Sequence, residues 1–195
     1  MAEVPPTRPS LLVRMRDAHD QQAWADFVRL YAPAIYRFAR RKGLQDADAS
    51  DLTQEVLRSV AGSIGQLDFD PRQGMFRGWL FTLAHRRLCD WFDSRQRRER
   101  GSGDSAMVQL LYDQPERADQ KHWEEDLERE AFARAAEKIR PIFSETTWQA
   151  FWQTAIEGKS GKDVAQELGL SVGAVYLAKS RVMVRLKAQV AELEP

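Results

Sequence analysis

Apolar residues recur along this chain at the three- and four-residue steps that place them on one side of an α-helix. Between Gln22 and Lys42 the stripe is aromatic, with Trp24, Phe27, Val28, Tyr31, Ile35, Phe38 and Ala39. Pro33 inside it lacks an N–H and is expected to kink or split the helix, while Gly43 is placed to cap it. A shorter helix, Leu11 to His19 with Ser10 as its cap, comes before. From Ala47 to Ile64, Leu52, Val56, Val60 and Ile64 recur at a four-residue step, Leu57 and Ala61 widen the stripe, and Asp51, Gln54 and Arg58 fall on the opposite face. A loop carrying Pro71 and Gly74 leads to a further helix, Met75 to Ser94, whose inward set is Trp79, Leu80, Leu83, Ala84, Leu88 and Trp91. Arginines at 95, 97, 98 and 100 follow it.

The periodicity breaks between Arg100 and His122. Gly101, Gly103, Pro115 and small polar residues read as a linker, though Met107, Val108, Leu110, Leu111 and Tyr112 keep it from being fully polar. It is long for a loop inside one compact domain, so a domain boundary is expected here. Beyond it, Trp123 to Ile139 reads as a helix stopped by Pro141, and Ser144 opens another carrying Trp148, Phe151, Trp152 and Ile156.

The segment from Ser160 to Arg185 has the chemistry of a helix-turn-helix. Ala165 is small enough for two helices to approach, Gly169 can turn the chain with φ > 0, and Leu170 and Val175 can seal the corner. Ser171 is placed to cap the second helix, on which Val175, Ala178, Val182 and Leu186 face inward. The outward set is Gly173, Tyr176, Leu177, Ser180 and Arg181, with Lys159, Lys162, Lys179, Arg185 and Lys187 placed for phosphates. Small residues allow a major groove to approach, and an arginine can take guanine O6 and N7.

The chain has 195 residues, 43% hydrophobic and 30% charged, with a net charge of +0 at pH 7, which argues against a polybasic coat for nucleic acid. The charge is nevertheless segregated: Arg37, Arg40, Arg41 and Lys42 cluster, whereas Asp104 to Glu130 is mostly acidic. The basic cluster suits either DNA phosphates or a solvated face. No apolar run is long enough to span a bilayer, and the N-terminus lacks the basic start and apolar core of a signal peptide, so a cytoplasmic protein without membrane contact is expected. The one cysteine, Cys89, excludes an internal disulfide framework. His85 lies one helical turn from Cys89 but no further ligands accompany them, so no metal is expected. There is no phosphate-binding glycine loop and no nucleophile elbow, which leaves no catalytic residue and no cofactor to assign.

Asp48-Ala-Ser-Asp-Leu-Thr-Gln-Glu-Val56, then Phe69-Asp-Pro, then Phe76-Arg-Gly-Trp-Leu80 and Leu83-Ala84, resemble region 2 of a bacterial sigma factor of the extracytoplasmic-function (ECF) group. The helix-turn-helix resembles region 4 of the same group. The resemblance implies a non-enzymatic factor that binds core RNA polymerase, through the β′ clamp helices and the β flap, and directs promoter-specific initiation. Asp48, Asp51, Gln54, Glu55 and Arg58 would dock on the polymerase. Phe69, Arg72, Phe76, Arg77 and Arg86 would meet the minus-ten element, although an ordinary turn with buried aromatics accounts equally for the two phenylalanines. Ser171, Gly173, Tyr176, Leu177, Lys179, Ser180, Arg181 and Arg185 would meet the minus-thirty-five element. The acids at 48 and 51 also suit a helix N-terminus without any partner. Ser50 stands where the group usually has a further acid, and a phosphoryl group there or on Thr53 would restore charge. An anti-sigma factor or a Ser/Thr kinase is left open as a further partner.

The expected architecture is all-α, with two small helical domains joined by a flexible linker: a disordered tail over 1–9, a first domain over 10–98, a linker over 99–121 and a second domain over 122–193. The alternative reading is a stand-alone helix-turn-helix regulator whose first domain senses a ligand or dimerises, and a helical adaptor for proteins alone is a third.

Overall fold

A computed structural model describes residues 11–17, 19–65, 75–100 and 117–193, and among them every regular element is helical. They fall into two compact units, one up to Glu130 and one from Ala131 to Glu194. The expected tail, the loop around Pro71 and most of the expected linker lie outside the described residues.

The first unit begins with α1 (Leu11–Met15), which buries Leu11, Leu12 and Met15. Helix α2 (Gln21–Arg41) starts at Asp20, whose carboxylate accepts from the Ala23 N–H at 2.8 Å and from Arg14 Nε at 2.9 Å. Those bonds, the Arg14 one first, hold the Asp20 carboxyl below its ordinary range. The helix runs unbroken through Pro33, contrary to the expected split, and buries Phe27, Leu30, Tyr31, Ala34, Ile35, Phe38 and Ala39. The packing gained along this face outweighs the one backbone hydrogen bond a proline removes. Gly43 ends it at φ 90°, with its N–H on the Arg40 carbonyl (3.0 Å) and the Leu44 N–H on the Ala39 carbonyl (3.3 Å). That pair of bonds is a Schellman closure, which needs the left-handed conformation glycine adopts cheaply.

Helix α3 (Asp46–Ser63) packs against α2 and α4 (Met75–Arg100). It buries Ala49, Leu52, Thr53, Val56 and Val60, while Ala61, expected to widen the stripe, is exposed. On α4 the buried set is Phe76, Leu80, Phe81, Ala84, Leu88 and Cys89, so the inward face is turned from the expected one, and Trp79, Leu83 and Trp91 are only half-buried.

Helix α5 (Arg117–Ile139) opens ahead of the expected Trp123 and contains the division between the units, which sequence reading put before His122. Its first half belongs to the first unit. Trp123, fully buried, meets Phe81 at 5.6 Å and Phe38 edge-on at 6.1 Å between ring centroids.

In the second unit, the last turns of α5 and a 3-10 turn (Arg140–Ile142) lead to α6 (Glu145–Ala155), capped by Ser144 as expected. Ala135, Ile139, Trp148, Phe151, Val182 and Leu186 form one cluster of its core. Ala150, Val164, Ala165, Val175 and Ala178 form another beneath the helix-turn-helix. That motif is α7 (Gly161–Leu168) and α8 (Val172–Leu193). Ser160 Oγ accepts from the Asp163 N–H at 3.2 Å, and Ser171 Oγ from the Ala174 N–H at 3.1 Å. Gly169 makes the turn at φ 64°.

Candidate functional surfaces

Helix α3 separates its residues cleanly. With Leu52, Val56 and Val60 inward, Asp51, Gln54, Glu55 and Arg58 are all exposed. The side chains of Asp51, Gln54 and Glu55 make no hydrogen bond or ion pair among the described residues. Asp46 and Asp48 stand in the first turn, where the helix dipole favours acid. Asp46 accepts from the Tyr36 hydroxyl, a bond that pushes the phenol pKa up. Asp48 is half-buried, 3.9 Å from Arg95 Nη1, and Arg95 in turn lies 5.3 Å from the centre of the Trp91 ring. The first-turn acids thus have local roles. Asp51 and Glu55 lie past that turn and have none.

The phosphorylation reading fails at Thr53. Its side chain is buried at 7% exposure and its hydroxyl donates to the Ala49 carbonyl at 2.7 Å, which closes it to a kinase. Ser50 is half-buried on the same helix.

The residues expected at the minus-ten element divide in four. Phe69 and Arg72 lie outside the described residues. Phe76, read equally as a minus-ten contact or a buried aromatic, is 1% exposed. It packs edge-on against Phe27 at 5.9 Å and Tyr31 at 5.6 Å, and tilted against Trp79 at 5.5 Å. It is core, because the first turn of α4 points into the aromatic face of α2. Arg77 has its Nη1 3.4 Å from Glu124 Oε2 on α5. Arg86 is exposed.

Most of the basic cluster at the end of α2 is taken up by carboxylates of α5, while Arg40 is exposed and donates to the Leu44 carbonyl at 3.0 Å. Arg37 donates to Asp126 at 2.9 Å and to Glu130 at 2.8 Å, Arg41 donates to Asp126, and Lys42 pairs with Asp119. Arg129 adds a third guanidinium to Asp126 at 3.1 Å. Asp126 itself is only 3% exposed. The basic and acidic blocks seen in the sequence therefore meet through Arg37, Arg41 and Lys42. Their opposite signs were the signal for this, and sequence separation hid it.

In the second unit, Ser171, Gly173, Tyr176, Leu177, Ser180, Arg181 and Arg185 are exposed and Lys179 is half-buried. Gly173, Tyr176, Leu177, Ser180, Arg181 and Arg185 thus lie exposed on α8, and Ser171 stands just ahead of it as its cap. From Val172 to Ala191 this helix carries Lys179, Arg181, Arg185 and Lys187 and no carboxylate. Lys159, expected at a phosphate, instead donates to Glu167 at 2.8 Å, which raises its pKa.

His85 Nδ1 lies 3.8 Å from the buried Cys89 Sγ, and no group of metal-binding side chains forms among the described residues. No helix among them is long and apolar enough to cross a membrane.

Comparison with known proteins gives a family for part of the chain and relatives for most of it. Residues 27–98 match the model of sigma-70 region 2. The ECF RNA polymerase sigma factor RpoE of Cereibacter sphaeroides is 25% identical over 179 residues, covering 91% of this chain and 90% of that protein. The RNA polymerase sigma factor CnrH of Cupriavidus metallidurans is 27% identical over 179 residues, covering 91% of this chain and 92% of its own. A solved structure of CnrH in complex with the cytosolic domain of CnrY covers 91% of this chain and 93% of that chain, with 22% identity and a TM-score of 0.36. Relatives of such extent take in more than region 2 alone, and a stand-alone regulator is not favoured.

Proposed function

We infer that this chain, which belongs with the RNA polymerase sigma factors of the extracytoplasmic-function group, lends promoter specificity to core polymerase at initiation. The observation that carries the mechanism is the outward face of α3. Asp51, Gln54 and Glu55 stand exposed on a helix whose other side is core, and the two carboxylates and the amide have no partner among the described residues. This face, with Asp48 and Arg58 at its ends, docks on the β′ clamp helices. The helix-turn-helix sets the N-terminal half of α8 in the major groove of the minus-thirty-five element, where its cations take phosphates and fix register. Arg86 is the described residue presented for the minus-ten element, together with the segment holding Phe69 and Arg72. The protein supplies binding and orientation in the cytoplasm, where core polymerase works, and the phosphoryl-transfer chemistry belongs to the polymerase.

Capture of purified core polymerase by the wild-type chain and by Asp51→Arg/Gln54→Ala tests this. Capture by wild type and its loss in the variant are expected. Failure of wild type, with polymerase competent for another sigma factor, would end the reading.

A further inference from the structure

The outward face of α8 carries a feature that phosphate binding does not account for. Tyr176 and Leu177, adjacent near the start of the helix, are 56% and 52% exposed. Large apolar side chains left in water on a surface helix gain free energy only from a partner that covers them. The surroundings identify the partner's sign: Lys179, Arg181 and Arg185 stand within the next turns, and α8 has no carboxylate before Glu192.

The Tyr176 ring also lies against the start of α7. A Cβ built on Gly161, the first residue of α7, would lie 3.0 Å from the ring Cζ and from the hydroxyl oxygen. The ring thus rests across the bare backbone at the start of α7, and glycine there leaves room for it. Its apolar surface is positioned before any ligand arrives, which lowers the ordering cost of binding.

In a major groove the apolar surface of these two side chains can gain from one base feature. Guanine, adenine and cytosine present donors and acceptors there, and an apolar side chain pressed on them strips water without replacing a hydrogen bond. Thymine alone presents a methyl group. We propose that Tyr176 and Leu177 read thymine 5-methyl groups in the upstream promoter element. The bare backbone of Gly161 leaves the Tyr176 ring room to lie along that face. The proposal rests on the reading of α8 as the groove helix given above.

The test uses holoenzyme assembled from core polymerase and the full chain. Upstream elements are selected from duplexes randomised at that position, and in the selected duplex each thymine is replaced singly by deoxyuridine, which removes the methyl and nothing else. At one or more thymines the replacement is expected to weaken binding about four-fold, the worth of one buried methyl. The double variant Tyr176→Ala/Leu177→Ala, at two exposed positions that do not support the core, is expected to bind the thymine and uracil duplexes alike, and each single variant to lose part of the difference. A selected element indifferent to every replacement would overturn the proposal and leave α8 as the groove helix. Failure to select any upstream sequence, with holoenzyme formed, would overturn the groove reading and this proposal with it.

Discussion

Arg37 and Asp126 are separated by 89 positions and meet at 2.9 Å, the guanidinium on α2 closing over a carboxylate that is 3% exposed. A buried carboxylate without partners is expensive, so this acid depends on Arg37, Arg41 and Arg129 together. With Trp123 set between Phe38 and Phe81, it fastens the first half of α5 to the first unit.

Asp126→Ala should therefore loosen α5. Arg37 and Arg41 are about a third exposed, at 33% and 32%, so water can take over part of what they lose. A loss of about 1–3 kcal/mol is expected. Arg37→Ala should cost less, because Arg41 and Arg129 stay on the carboxylate. Urea titration followed by tryptophan fluorescence measures both, and equal midpoints for Asp126→Ala and wild type would contradict the assignment.

The second unit was the more legible from sequence because its signals are local. Ser160, Gly169 and Ser171 act through cap and turn chemistry within a few residues, and the inward set Val175, Ala178, Val182 and Leu186 sits on one continuous period. Phe76 was left between base contact and core because it follows a loop, and only the distant Phe27 and Tyr31 determine which way the first turn of α4 faces. The start of α5 escaped for a related reason. Arg117 to His122 has no apolar stripe, and the pairing of Asp119 with Lys42 is invisible to any local window. The acidic face of α3 was legible in full, since one period sorts both its sides.

His85 should make the chain sensitive to mild acid. Burial first, and then the nearby Lys42, lower its pKa from the ordinary 6.5, with Asp119 opposing. An imidazole whose folded pKa is lowered stays neutral in the fold when the unfolded chain already takes a proton. Its contribution is complete above 6.5 and is lost as pH falls from there through the lowered value. Stability measured by urea should fall across that window, and His85→Gln should flatten the fall. A wild-type curve with the same slope as the variant would refute the assignment.

Cys89 should be slow toward thiol reagents in the native protein. It is 1% exposed, and burial, with Asp90 and Asp93 adding to it, raises the thiol pKa and so reduces the reactive thiolate. Labelling by an aromatic disulfide reagent is expected to track opening of the first unit and to become fast in denaturant. Rapid labelling of the native chain would mean that α4 does not hold its inward face as described.

Gly161→Ala should separate fold stability from DNA selection. Alanine is preferred over glycine in a helix interior by about 1 kcal/mol and by less at its first residue, which slightly favours the variant. The new Cβ would stand 3.0 Å from the Tyr176 ring, a contact too close to keep, but the atoms it meets are the far end of a side chain 56% exposed. The ring can swing outward into water, so the melting temperature should hold or rise slightly. The cost falls on the recognition face, because a displaced ring no longer covers the base edge it was set to meet. Affinity of holoenzyme for its selected duplex should drop about as far as in Tyr176→Ala, and the double variant should be no worse than either, since both changes remove one contact. Independent, additive losses in the double variant would show that Gly161 acts on DNA binding by some route other than Tyr176.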